Sequence, residues 1–372
     1  MKKIIILIIT IFLLSGCSYR ELNDLAIISA IGIDYDNNEF KLTAQVMNVK
    51  SSNSGIAEEE SLIYESTGPT IAKAIRNFSI RYPKNAYLGH LELIVINIEA
   101  AEQKLDEIFD YFIRSPEARS SSFVVIAKEQ KANEILNPNN ENKGNFPIEG
   151  LKTVLLDGTK RNGTIYDLTF EEFLSFYLKE GIDPLVPLIK ITKNKGITAS
   201  ATIIEEMAPV QHNKVLKTLN QKQSIAYNTI NNNYYDIIVD CKYQDKDFAA
   251  IVYNPKSEVN VELKNNKITV NIDINIESKI TEIDSKINLT NKQIQNSLKK
   301  EVDKQLKNYI TSLIDYCKEN NSDIIGIGNK IYKNYFKEYP KYKNKNLYEI
   351  ADFNIKINNK MYRYGNINKG AA

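Results

Sequence analysis

The chain has 372 residues, with 48 Lys and Arg against 46 Asp and Glu, two His and three Cys. Near-neutral charge argues against a nucleic-acid binder, and two histidines are too few for a His-rich metal centre. A chain this long can bury a core without disulfides, and its length points to two or three domains.

Lys2 and Lys3 open the chain, and Ile4 to Leu14 then run apolar except for Thr10. That run is too short for a hydrocarbon core of ~30 Å, which takes roughly 20 apolar residues. It has the length and flanks of a secretory signal. It ends Leu14-Ser15-Gly16-Cys17, which resembles the lipobox of bacterial lipoproteins. The small residues let the chain enter a peptidase cleft in extended form, and the thiol is the nucleophile that takes a diacylglyceryl group. The expectation is a signal peptide over residues 1–16, a lipid on Cys17 and a soluble remainder at the extracytoplasmic face of a membrane. Without Lys2 and Lys3 the charge balances at 46 against 46, but unevenly. From Lys292 to the end, 16 Lys and Arg stand against 8 Asp and Glu.

Residues 25–33 and 40–49 predict two strands around Asp36-Asn37-Asn38. Phe40, Leu42, Ala44 and Val46 alternate as one buried strand face requires. Ser51 to Glu60 is polar and acidic and predicts a loop. A helix follows Pro69, with Ile71, Ala74, Ile75 and Phe78 in one apolar stripe. Residues 86–97 predict a mostly buried strand that carries His90. Residues 99–114 predict a helix with Leu105, Ile108, Phe109 and Phe112 inward, and Phe123 to Ala127 another strand. That alternation implies a sheet covered by helices. Residues 137–147 read as a loop, and Thr169 with Glu172 as a capping box ahead of a short aromatic helix. Asp183-Pro184 and Pro187 break the pattern, which puts a domain boundary near 185.

The second half opens with strands near 197–204, 233–241 and 247–254. A hairpin runs from Val259 through Asn265-Asn266 to Ile276. Thr290 with Gln293 marks the start of a long helix over 291–319. Its stripe is Ile294, Leu298, Val302, Leu306, Tyr309, Ile310, Leu313, Ile314 and Cys317. A second helix is expected from Ser322-Asp323 to just before Pro340, and Phe353, Ile355 and Ile357 alternate in a closing strand. The fold class expected is α+β, with mixed sheets and packed helices in two or three consecutive domains. These are an N-terminal α/β domain over 17–185 and a C-terminal α+β domain over 186–369, the latter open to division into two subdomains.

The search for catalytic chemistry is mostly negative. There is no Cys-x-x-Cys, G-x-S-x-G, Walker loop or H-E-x-x-H. Gly326-Ile327-Gly328 lacks the third glycine of a dinucleotide loop. Neither a metal nor a cofactor is expected. Cys241 and Cys317 could pair in an oxidising compartment, but their spacing is no evidence for it, and two free core thiols are the favoured reading.

Two segments stand out. Arg114-Ser115-Pro116-Glu117-Ala118-Arg119 follows the aromatic helix, where the two Arg either complement its negative end or form a partner-binding corner. From Lys330 to Lys345, Lys interleaves with Tyr332, Tyr335, Phe336, Tyr339 and Tyr342. This is either a solvated helix face with half-buried Tyr or a surface drawn to anionic lipid headgroups, with Lys333, Tyr335, Lys337, Lys341 and Tyr342 facing the membrane.

In order and spacing the pieces resemble the Ger(x)C family, the lipoprotein C subunits of spore germinant receptors. The resemblance runs through Gly16-Cys17, Arg20-Glu21-Leu22, Leu25-Ala26-Ile27 and Ala30-Ile31-Gly32-Ile33-Asp34. It continues through Thr70 to Asn77, Leu88-Gly89-His90-Leu91 and Phe112 to Arg119, and ends on Ser322-Asp323-Ile324-Ile325-Gly326-Ile327-Gly328. Members usually carry Trp-Asp after the lipidated Cys; here Ser18-Tyr19 stands instead. The resemblance implies a non-enzymatic subunit at the spore inner membrane. Its implied partners are the A-type and B-type germinant receptor subunits, and Arg114, Glu117 and Arg119 are the candidate contacts. The competing classes are a substrate-binding lipoprotein of a membrane transporter, which would show two related lobes about a cleft, and a cell-envelope hydrolase, which needs a nucleophile and base assembled together.

Overall fold

The computed structural model describes residues 24–51, 57–136, 148–193, 200–284 and 286–362. The signal segment 1–16, Cys17, Ser18-Tyr19 and the loop expected over 137–147 lie outside them.

β1 (Leu25–Asp36) and β2 (Glu39–Ser51) form an antiparallel hairpin across Asn37-Asn38, both at positive φ. Asn tolerates that conformation, and the strand twist favours it in a two-residue turn. Phe40, Leu42, Ala44 and Val46 are buried, as their alternation requires. The segment expected as a loop over 51–60 is different. β3 (Ala57–Gly68) pairs with β2 at the sheet edge. Thr70 then caps α1 (Ile71–Arg81), its hydroxyl accepting from the Lys73 N–H at 3.2 Å.

The strand expected over 86–97 is split into β4 (Asn85–Tyr87) and β5 (Leu93–Asn97). A turn closed by the Leu91 N–H on the Leu88 carbonyl separates them, and it carries His90 into solvent rather than along a buried strand. α2 (Ile98–Arg114) buries Leu105, Ile108, Phe109 and Phe112. β6 (Phe123–Ala127) is followed by α3 (Ala132–Leu136) and α4 (Ile148–Lys160), and then by α5 (Phe170–Tyr177), which carries the complete Thr169–Glu172 capping box. β7 (Leu185–Lys193), β8 (Ser200–Gln211) and β9 (Lys214–Val215) complete the first sheet.

The sheet order is β3-β2-β1-β5-β6-β7-β8-β9, with β4 beside the start of β1. Alternate residues face opposite layers, as a strand period of two demands. Ile94 and Ile96 share a core with α1, α2 and α5, while Leu93 and Val95 pack with Ala132, Ile135, Leu151 and Leu155 of α3 and α4. The boundary expected at 185 is therefore displaced. Leu185 opens β7, an interior strand, and the sheet runs on to β9. Pro187 is tolerated because at that position β7 pairs only with β8; pairing to β6 begins at Leu188.

α6 (Gln221–Ile230) leads to the second sheet: β10 (Asp236–Tyr243), β11 (Lys246–Lys264), β12 (Lys267–Glu282) and, last in the chain, β13 (Ala351–Met361). The two strands expected at 247–254 and from Val259 are one, β11, with its register shifted between Tyr253 and Lys256. Asn254 at positive φ and Pro255 sit at that irregularity, where a missing N–H costs least. α7 (Lys292–Asn320) packs its stripe from Leu298 to Cys317 onto this sheet. Its cap is Asn291, which accepts from the N–H groups of Gln293 and Ile294, one residue later than the Thr290 signature suggested. α8 (Ile327–Asn334) and α9 (Leu347–Ile350) then return the chain to β13, which lies parallel to β12.

One buried cluster runs unbroken from Ala26 in β1 to Tyr348 in α9, so both sheets share a core. α6 is its hinge-pin. Ser224 to Ile230 are all buried, and the Asn228 side-chain amide donates to the carbonyls of Gly163 and Ile165 in the first domain. Cys241 and Cys317 are buried free thiols, and burial pushes both up from the ordinary thiol range.

Candidate functional site

The Ser322-to-Gly328 segment wraps around one carboxylate. Asp323 accepts from the backbone N–H groups of Gly326 (2.8 Å), Ile327 (2.9 Å) and Gly328 (2.6 Å), and from the Tyr348 hydroxyl (2.7 Å). Asp323 thereby satisfies donors at the start of α8, which a helix cannot pair internally. This is why α8 begins at Ile327 and not at the Ser322-Asp323 expected from sequence. A second acid meets it from the first domain. Asp183, just before β7, accepts from the Asp323 N–H at 2.8 Å, the Ser322 hydroxyl at 2.9 Å and the Gln211 amide at 3.1 Å.

The glycines complete this clasp. Gly181 has φ +71, and a Cβ there would lie 2.5 Å from the Gly328 carbonyl carbon. Only two glycines let these backbones pass so closely. The Asn329 N–H then donates to the Gly181 carbonyl at 2.6 Å, and its side-chain amide to the Glu180 carbonyl at 2.7 Å. Burial pushes the Asp323 carboxyl up to about 6, with Tyr348 and the backbone amides pulling it down and the charge of Asp183 raising it. Burial raises Asp183 as well. A cleft of 660 Å³ opens beside the clasp, lined among others by Glu180, Gln211, His212 and Lys343. Within the clasp itself the polar groups bond to one another, so its chemistry is that of a joint between domains.

The Arg corner is open to solvent. Arg114 is 77% exposed and pairs with Asp110, one helical turn back, at 2.7 Å. Arg119 donates to the Ser121 hydroxyl at 2.7 Å. Glu117 is exposed on the turn between them. Beside Arg114 lies a hollow of 710 Å³ floored by Phe40, Ile71 and Tyr111 and rimmed by Asp106 and Asp110. Sequence reading named the Arg residues but not this apolar floor, whose parts come from β2, α1 and α2.

The Lys and Tyr tract divides by side. Lys333, Lys337 and Lys341 are exposed. Tyr335 is half-buried, and Tyr342, at 5% exposure, is buried with its hydroxyl donating to the Asn266 carbonyl at the tip of the β11–β12 hairpin. Tyr342 is thus a core residue and not the membrane-facing one expected. The exposed aromatic is Phe336, at 65%.

Among the described residues no group of three or more His, Cys, Asp or Glu is placed to hold a metal. No helix among them is long and apolar enough to cross a membrane. His90 and His212 sit in solvent on separate turns. The two halves are not related lobes: among the described residues one sheet has nine strands with helices on both faces, the other four strands carrying a long helix.

Two unlike α+β domains are thus clasped through paired acids and share a core. Residues 18–191 match the family described as "Spore germination protein N-terminal domain", and residues 205–365 match "Spore germination B3/GerAC like, C-terminal". The chain belongs to this family of spore germination proteins, the Ger(x)C-type subunits of germinant receptors. Spore germination protein KC of Bacillus subtilis (strain 168) is 24% identical, over 91% of this chain and 89% of its own length. Spore germination protein B3 of the same organism is 22% identical over 99% of both. The crystal structure of the GerBC protein superposes with a TM-score of 0.58 over 90% of this chain and 97% of that one, at 16% identity.

Proposed function

We propose that this chain is the lipid-anchored, non-enzymatic subunit of a nutrient germinant receptor and is required for spore germination. Cys17 carries the lipid, which holds the two domains at the extracytoplasmic face of the spore inner membrane beside A-type and B-type subunits. The observation that carries this reading is the family match over both halves, in order, behind the Leu14-Ser15-Gly16-Cys17 motif. Relatives named as spore germination proteins support the location and the assembly. The unlike topologies of the two halves speak against a transporter's substrate-binding lobes. Arg114, Glu117 and Arg119 contact a partner subunit: all three are exposed, and the Arg114 guanidinium offers a planar donor fork beside an apolar hollow for an anchor side chain.

The test is the anchor. Stable attachment takes more than one acyl chain, at ~0.8 kcal/mol per buried methylene, and a diacylglyceryl group meets that requirement. Cys17→Ala is expected to leave the protein unprocessed or soluble and to slow germination. A Cys17→Ala chain that stays with spore membranes through a carbonate wash, with germination intact, would overturn the proposal.

A further inference from the structure

The segment from Lys330 to Lys345 holds six Lys and a single acid, Glu338. α8 ends at Asn334; at Tyr335 the backbone leaves helical geometry (φ −136, ψ 48), and turns carry the chain to a short 3-10 helix over Tyr339–Lys341. Ile331 and Tyr339 are buried and Tyr335 is half-buried, which holds this segment against the core. Lys333, Lys337 and Lys341 are all exposed, as are Phe336 and Pro340, and the rings of Tyr332 and Phe336 lie 5.3 Å apart. Among the described residues, none of these three lysines enters an ion pair, whereas Lys264, Lys267 and Lys343 nearby each hold an acid.

Exposed, unpaired lysines on one short segment with an exposed phenyl ring match the chemistry of an anionic bilayer surface. Lysine is attracted to the headgroups, and an aromatic ring settles at their level. We infer that Lys333, Phe336, Lys337 and Lys341 form a contact face for anionic lipid, which orients the domains on the membrane. The inference rests on the lipid anchor proposed for Cys17. The seven-residue step from Cys17 to Asp24 spans at most about 25 Å, so the anchor keeps the folded body close to the headgroups, where the face can compete for them. Each lysine near such a surface raises partitioning about fivefold, so three suffice to select one orientation of a tethered body. Tyr342, which sequence reading assigned to this face, instead braces it from below through Asn266.

The full lipidated chain carrying Phe336→Cys tests this. Cys17 is blocked by its lipid in the proposed form, and Cys241 and Cys317 are buried with raised thiols, so an environment-sensitive fluorophore labels position 336. The labelled chain is mixed with vesicles of neutral phosphatidylcholine or of phosphatidylcholine with one-third phosphatidylglycerol; flotation reads the anchor and emission reads the face. A blue shift on anionic vesicles alone, lost in high salt and lost with Lys333→Glu, Lys337→Glu and Lys341→Glu together, is the expected result. A chain that floats with a water-like probe loses the face and keeps the anchor. A chain that neither floats nor shifts loses both, and a shift without flotation keeps the face and loses the anchor. Emission that is equal on neutral vesicles, or that shifts only when partner subunits are added, overturns the lipid assignment.

Discussion

Asp323 is a carboxylate whose burial and hydrogen bonds pull in opposite directions. Burial prevails and holds its native pKa at about 6, above the ordinary 3.8. The native chain therefore binds more protons than the unfolded chain between those values. The stability from this group is complete below about pH 4, is lost as pH rises through about 6, and is constant above. Two units at about 1.4 kcal/mol each make about 3 kcal/mol. Asp323→Asn is expected to flatten this part of the melting-temperature profile between pH 4 and 7; Asp183, raised in the same direction, leaves a residual slope of the same sign. An unchanged slope in the variant would assign the pH dependence elsewhere. Gly181→Ala tests the same joint by sterics. Its Cβ meets backbone, which cannot swing aside, and its φ is left-handed, so a loss of about 2–4 kcal/mol by denaturant titration is expected. The match at Ser322 to Gly328 was visible in the sequence. Its reason was not, because Asp183 and Gly181 arrive from about 140 residues away.

Elements with a period of their own were legible, and those defined by neighbours were not. α2 and α7 carry stripes that fall on their buried faces: all four residues of the α2 stripe are buried, and in α7 all are except the half-buried Ile294, with Tyr316 added. α6 carries none, because the core surrounds it, and such a helix has no amphipathic signal to read. β3 is rich in acid and reads as loop; its place depends on an edge that β2 leaves open. At the end of α2, the Arg114–Asp110 pair is exposed on both sides, at 77% and 58%, and pairs of this kind contribute about 0.3–0.5 kcal/mol. Arg114→Ala with Arg119→Ala is therefore expected to leave the melting temperature within a few degrees of wild type while receptor abundance and germination in spores fall sharply. Normal germination with a normal melt would remove the partner contact, and a large melt loss would make the corner structural.

The two sheets are joined by shared apolar burial, by the Asp183–Asp323 clasp and by α6, whose Asn228 reaches into the first domain. With the core continuous, the halves are expected to unfold together. The lipid-free chain from Ser18 should show one calorimetric transition whose calorimetric and van't Hoff enthalpies agree. Two resolved transitions would mean that the interface is weaker than the shared core implies.

Composition and the periods of 2 and 3.6 determined much by themselves: an α+β chain, its long helix and its hairpins; the order of short motifs carried the family resemblance. They did so because those signals are local, carried by residues a turn or a strand step apart. The tertiary structure alone decided where the first sheet ends, that Cys241 and Cys317 stay apart as free thiols, that Tyr342 turns inward while Phe336 turns out, and that two acids and two glycines from opposite halves form one joint. Each of those depends on which distant segment is adjacent. A residue's burial and charge environment are properties of that neighbour as much as of its own side chain.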